Sequence, residues 1–460
     1  MSETVSEPTK APLAERTTVD LVKAAMSGWL GTALEFMDFQ LYSLAAALVF
    51  KDLFFPEGST GVAVMASMAV YGVGYFARPV GAWYFGRLGD RVGRKQVLFI
   101  TITMMGVATT LIGCLPTYNQ VGFLAPLLLV ILRLVQGFGA GAEISGAAVM
   151  LAEYAPTRHR GVISSLVALG TNCGTLFASA VWGVLVAVMS EEALIAWGWR
   201  IPFLGSVLVM VAAVWIRIHL KETPVYEATQ EELLEAYDQP IPEKKKDLEK
   251  VVVRPTAKIS GKAFWFAFFL RFGQSGNSGM IQTYLVSFIV DFLLFPRSVA
   301  TNVVIYSSLV GFVTVPLIGL LGDRFGRRAI YRTITVSAMI LAFPLFHVIV
   351  SQEPGSLTFY VSYIALHNLS VLAFFSLENI TMAEMFGSQR RYEALALSKE
   401  IPNLITAGMG PFVAATLVEV TKSWIPLACL MVFYSASTFL SSVFMPDTTG
   451  RDLTDPKDAA

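Results

Sequence analysis

Charge is scarce in this chain of 460 residues: only 15% are Asp, Glu, Lys or Arg, against about a quarter in soluble domains. Too few remain to cover a water-facing surface, so a soluble globule is excluded. Net charge is missing as well. Thirty-four Lys and Arg face 34 Asp and Glu, leaving no bulk attraction for nucleic acid. Cysteine is sparse: Cys114, Cys173 and Cys429 lie in apolar runs without a C-x-x-C spacing, so neither a disulfide frame nor a zinc site is expected. No G-x-x-x-x-G-K-[ST], H-E-x-x-H or G-x-S-x-G occurs. ATP-driven pumping from within the chain is therefore excluded, and no enzyme, cofactor, nucleotide or metal is expected. What the chain has is apolar: 55% hydrophobic residues, a mean hydropathy of +0.60 and 12% aromatics. The aromatics and 36 glycines, with little low-complexity sequence, exclude disorder, collagen and coiled coil.

Apolar stretches cover residues 22–50, 61–85, 96–115, 123–151, 161–189, 199–219, 263–292, 298–321, 329–350, 357–385, 392–419 and 424–445. About 20 apolar residues cross a bilayer as a helix, and these runs are too long for the ~10-residue strands of a barrel. The expected fold class is an all-α integral membrane protein with twelve transmembrane helices. An N-terminal tail (1–21) leads into a first six-helix bundle (22–219). A linker (220–262) follows, then a second bundle (263–445) and a C-terminal tail (446–460). With the N-terminus inside, 25 Lys and Arg fall on the cytoplasmic segments, counting Lys23 at the mouth of the first span. Three, Lys51, Arg297 and Lys422, fall outside. The positive-inside rule then puts both termini in the cytoplasm. The linker mixes Glu231, Glu232 and Glu235 with Lys244, Lys245 and Lys246 and reads as a solvated connection.

The two sides of the linker repeat each other. Gly86-Arg87-Leu88-Gly89-Asp90-Arg91-Val92-Gly93-Arg94-Lys95 recurs as Gly319-Leu320-Leu321-Gly322-Asp323-Arg324-Phe325-Gly326-Arg327-Arg328, identical at seven of ten positions with an offset of 233. Glu153, Arg160 and Asn172 map on Glu384, Arg391 and Asn403 at offset 231. A six-helix unit has been duplicated, giving two pseudo-symmetric bundles, and transporters place substrate between such halves. In the loops the glycines permit close approach of helix ends, and Asp90 can accept backbone N–H bonds at a neighbouring helix N-terminus. Arg94 can pair with Glu153; Asp323, Arg327 and Glu384 form the symmetric set. Such contacts exist only while that side is shut, so the set reads as a gate.

G-x-L-G-D-R-x-G-R-K, present twice, resembles the signature loop of the major facilitator superfamily. Gly31-Thr32-Ala33-Leu34-Glu35-Phe36-Met37-Asp38-Phe39, Phe76-Ala77-Arg78-Pro79-Val80-Gly81, Arg133-Leu134-Val135-Gln136-Gly137-Phe138, Trp197-Gly198-Trp199-Arg200-Ile201-Pro202-Phe203 and Glu222-Thr223-Pro224-Val225-Tyr226-Glu227 narrow it to the metabolite:proton symporter family. Where that family often reads G-G-E-W-G-G, this chain reads Gly141-Ala142-Glu143-Ile144-Ser145-Gly146, keeping the acid and losing the tryptophan. The resemblance implies a multi-pass protein of the bacterial inner membrane that moves a carboxylate or zwitterion together with protons.

Ionisable residues inside spans are costly and functional by default. Glu35 and Asp38 stand three apart on one face of the first span, and with Glu143 in span four they are the candidate proton acids. Arg133 and Arg271 lie near mid-depth of spans four and seven, one in each half, and Arg78 lies in span two. A guanidinium fork matches a carboxylate, so these three are candidate substrate ligands, although superfamily resemblance also suggests proton transfer for Arg133. Gln274, Asn277, Gln282 and Tyr284 make span seven a polar liner. Lys399 and Glu400, adjacent in span eleven, point to different sides, and His367 can supply hydrogen bonds.

The expected function is proton-coupled import of a small organic metabolite, foremost a carboxylate, by a monomer in the lipid bilayer. The alternative is an exporter or antiporter; those carry a G-P motif in span five, which here reads Leu169-Gly170-Thr171-Asn172-Cys173-Gly174-Thr175. A sensor or membrane enzyme is a distant third reading, since the linker and tails leave no room for a soluble domain.

Overall fold

A computed structural model describes residues 18–45, 49–55, 60–219, 226, 231, 234 and 258–460. Most of the expected N-terminal tail and linker, including Glu232, Glu235 and Lys244 to Lys246, lies outside the described residues.

Among the described residues, twelve long helical stretches occupy the twelve apolar runs. In the first half they are α1 (Thr18–Ala45), α2 (Thr60–Val92), α3 (Arg94–Gly113), α4 (Leu124–Tyr154), α5 (Arg160–Val188) and α6 (Arg200–Ile218). In the second half α7 (Gly261–Ser278) continues through a wider π turn, Gly279–Tyr284. Then come α8 (Arg297–Phe325), α9 (Arg327–Ser351), α10 (Leu357–His367 and Ala373–Met385 about a π turn at Asn368–Leu372), α11 (Arg391–Asn403 and Gly410–Thr421 about a π turn at Leu404–Gly408) and α12 (Ile425–Phe444). Such turns widen a helix locally and often mark functional positions.

Among the described residues, eight of these stretches are long and apolar enough to cross a membrane by composition alone. The other four are α1, α2, α7 and α11. They hold Glu35 and Asp38, Arg78, Arg271, and Lys399 and Glu400 respectively. These four helices are less apolar because they carry charges that packing must protect. Elsewhere large apolar side chains such as Phe76, Leu208, Trp215, Val313, Ile340 and Phe444 stand exposed around the outside, as lipid contact requires.

In the first bundle α1 packs on α5, α2 on α4, and α3 on α4 and α6; in the second α7 packs on α11 and α12, and α9 on α10 and α12. The halves meet chiefly along α2–α11 and α5–α8. One residue joins α2 to α3 and one joins α8 to α9. Gly93 has φ 104° and ψ 151°, and Gly326 φ 89° and ψ 147°, a region essentially reserved for glycine. This is why the repeated loop carries glycine at its eighth position. Both loops lie at the end of the molecule where the described chain begins and ends: Leu21 packs with Leu98, Met150 and Tyr154, and the C-terminal tail folds onto the same end. We refer to it as the motif end.

Candidate functional site

At the motif end each half clasps the other in the same way. Asp90 on α2 accepts from the backbone N–H groups of Tyr392 (3.1 Å) and Glu393 (2.9 Å) at the start of α11. Asp323 on α8 accepts from Gly161 (2.8 Å) and Val162 (3.0 Å) at the start of α5. A carboxylate there satisfies unpaired N–H groups and faces the positive end of the helix dipole. Beside each clasp an acid crosses the interface. Glu153 accepts from Arg391 (2.9 Å) and Arg94 (3.2 Å). Glu384 lies 3.6 Å from Arg160 and 3.4 Å from Arg327.

Gly86 and Gly89 pass so close to the start of α11 that added methyl groups would run into the Glu393 backbone and the Tyr392 ring; Gly319 passes Gly161 and Val162 similarly. Gly322 instead faces Leu377 within its own half. The side chains of Arg91 and Arg324 stay out of this network: the Arg91 carbonyl accepts from Tyr226 (2.8 Å), and Arg324 lies over Phe325. The C-terminal tail packs into the clasp. Arg160 donates to the Arg451 carbonyl (2.9 Å), Arg391 to that of Leu453 (2.7 Å), and Gly450 N–H to Glu384 (3.3 Å).

Deeper in the bundles the charges form three groups. In the first, Arg78 bridges both halves. It donates through Nη2 to Glu35 of α1 and through Nε to Glu400 of α11 at 2.7 Å; Asn403 also donates to Glu400 at 3.1 Å. In the second, Asp38 accepts from Thr109 of α3 (2.6 Å), Gln136 donates to Thr109 (2.7 Å), and Arg133 donates to Gln136 (2.5 Å). The Phe39 ring links these groups, with Arg78 at 5.0 Å and Arg133 at 5.1 Å; Arg133 also covers Tyr42 at 4.2 Å. In the third, Arg271 (3.2 Å) and Lys399 (3.1 Å) share Glu378 of α10, and both lie over Phe375, at 5.5 and 5.3 Å. Gln274 accepts from Arg271 at 2.7 Å. All these ionic side chains are almost fully buried, so each depends on its partners to offset lost hydration.

Three placements differ from the sequence expectation. Glu35 and Asp38 share a helix face but not a network, and the carboxylate that Glu35 meets through Arg78 is Glu400. Glu143, grouped with the proton acids, is bound by Arg217 of α6 and accepts from Thr101 (2.7 Å), inside the first bundle. Asn277 turns into the second bundle, donating to Ser435 (3.1 Å) and the Ser370 carbonyl (3.4 Å). Gln282 meets His367 (2.9 Å), whose other ring nitrogen meets Ser307 (2.6 Å), and half-buried Tyr284 packs near Phe288. Arg217, Phe39 and Phe375 went unrecognised as partners. Arg217 had a signal, a cation at the end of an otherwise apolar span; a phenylalanine among 32 has none.

A family model described as the Major Facilitator Superfamily matches residues 28–411. A relative in Escherichia coli (strain K12), YdfJ, whose name marks it as a candidate transporter, is 51% identical over 427 residues, covering 92% of this chain and 96% of its own. The shikimate transporter of that strain is 31% identical, covering 93% and 94%. Among solved structures, the proton:xylose symporter XylE, of E. coli, bound to 6-bromo-6-deoxy-D-glucose superposes with a TM-score of 0.76 at 16% identity over 96% of this chain and 99% of that one. At that identity the likeness is one of fold.

Proposed function

The chain belongs to the Major Facilitator Superfamily and is a multi-pass membrane transporter rather than an enzyme, and from that premise we propose that it imports a small organic carboxylate together with protons by alternating access. The observation that carries this reading is the fork of Arg78, a buried guanidinium of one half holding a carboxylate of the other at 2.7 Å. A site that already binds a carboxylate across the interface has the chemistry to bind a substrate's. Arg133 and Arg271, one per half, supply further positive charge. Glu35 and Asp38 are the proton acids. Glu143, held by Arg217, keeps the first bundle together.

The excess of Lys and Arg at the motif end assigns it to the cytoplasm, with both termini there, in a bacterial inner membrane. The clasps then shut the cytoplasmic side, and opening them releases the cargo inward. The similarity to a shikimate transporter supports a carboxylate, and the working unit is the monomer. Uptake into proteoliposomes across a panel of labelled carboxylates and betaines, with and without an inward proton gradient, tests this. Gradient-driven accumulation of a carboxylate, abolished by a protonophore, is the expected result; uptake indifferent to both rejects symport.

A further inference from the structure

One guanidinium, Arg78, serves two carboxylates from opposite halves, Glu35 Oε1 through Nη2 and Glu400 Oε2 through Nε. With both acids ionised the group carries one negative charge too many, and close carboxylates do not both ionise cheaply in a buried site. A further cation, Lys399, acts on Glu400 through space, but its ion pair is with Glu378 of α10, which it shares with Arg271, and it donates to Asn379. Glu143 of α4 adds negative field and is engaged by Arg217. Tyr75 of α2 and Asn403 of α11 are the neutral neighbours. The second oxygen of Glu35, Oε2, is buried without a hydrogen-bond partner, a position where a proton costs less than a charge.

Glu400 also shares the helical segment Arg391–Asn403 with Tyr392 and Glu393, whose N–H groups Asp90 holds. Seven residues, about 10 Å of helix, separate clasp from carboxylate. The segment ends at Pro402 and the π turn Leu404–Gly408, where missing and displaced backbone bonds make a hinge. Opening the motif end therefore draws Glu400 away from Arg78.

We infer that Glu35 and Glu400, joined through Arg78, form one proton site shared between the halves, loaded while the motif end is shut and emptied when α11 withdraws. This deepens the symport reading and rests on it for its biological meaning. The proton adds to a carboxylate oxygen and leaves to water, and no other bond changes. Once Glu400 departs, Arg78 and Glu35 are a balanced pair with no need of the proton.

The proton itself is the probe. Infrared difference spectra of the full-length protein in liposomes, titrated with pH, report protonated carboxyl groups. Glu35→Gln and Glu400→Gln should each remove the same titrating band, and the double variant should remove no more. Two bands lost independently, or survival of that same band in either variant, overturns the shared site. If Glu400→Gln fails to fold, Glu400→Asp, which keeps a carboxyl, should retain the band at a shifted position; an unshifted band counts against the site. For the coupling, Asp90→Ala frees the start of α11, whose Tyr392 and Glu393 N–H groups Asp90 holds. The variant should hold its proton about tenfold less tightly, a shift of about one pH unit downward. No shift, or an upward one, overturns the release step. Failure of symport would show in the uptake panel and leave this titration standing, so the two are separable.

Discussion

The motif end and the mid-depth charges of this protein treat the internal repeat in opposite ways. At the motif end the repeat survives almost contact for contact. Asp90 caps the N-terminus of α11 and Asp323 that of α5, and the receiving pairs Tyr392–Glu393 and Gly161–Val162 are themselves related by the offset of 231. The crossing acids Glu153 and Glu384 exchange halves in the same sense. At mid-depth the offsets pair Glu35 with Phe268, Asp38 with Arg271, Arg78 with Gly311 and Glu400 with Leu169. Every charge there meets a neutral residue or the opposite sign. A gate that must close on both sides of one axis needs identical hardware twice, whereas a centre that handles a proton and an anion needs two different chemistries. Among the described residues, π turns lie within or at the end of α7, α10 and α11 of the second half, near the buried polar residues, whereas the first-half π segment Leu194–Gly198 lies ahead of α6.

The largest effects should come from the centre, where the two halves differ most. Arg217 is the cation bound to Glu143, whereas Glu378 has both Arg271 and Lys399. Arg217→Ala should therefore destabilise the fold by about 3–5 kcal/mol, the cost of stranding a buried charge. Lys399→Ala, which leaves Glu378 paired, should cost about half as much by the same reasoning. Thermal unfolding in detergent measures both, and equal losses would erase the asymmetry. Next come the clasps. Asp90→Ala and Asp323→Ala each remove charge-assisted hydrogen bonds, worth about 1.5–3 kcal/mol. Each should shift the population toward a motif-end-open state by about tenfold or more, read as labelling of an engineered cysteine by a membrane-impermeant reagent. If only one variant responds, the gate is not symmetric. Smallest are the loop glycines: Gly93→Ala and Gly326→Ala should each lower stability by about 1–3 kcal/mol through backbone strain, and by similar amounts, since their φ values are 104° and 89°.

Part of the molecule was legible before any coordinates. The spans could be located because lipid imposes a length and an apolar composition on each helix independently. The repeated decapeptide could be read as a gate because its acid, glycines and arginines recur together in one short stretch of each half, although the groups that Asp90 caps lie 302 and 303 positions away. The mid-depth set was legible as a list of residues but not as a network. Glu35 and Asp38 share a face, yet a small rotation along α1 turns one toward α2 and the other toward α3. The Arg78–Glu400 bond joins residues 322 positions apart, and no periodicity links them. The partner of Glu143 was illegible for the same reason: whether a buried acid faces an interface or the interior of its own bundle depends on which neighbour fills the adjacent groove, here α6 with Arg217.

The sequence by itself determined that this chain lives in a bilayer and crosses it as helices, because both properties are enforced residue by residue or span by span, and its repeated loop pointed to one unit used twice. Only the tertiary structure decided which charge answers which. A buried ion takes whatever counter-charge packing brings within about 3 Å, and that choice belongs to the crossing of whole helices, in particular to α11 lying against α2, rather than to any stretch of sequence.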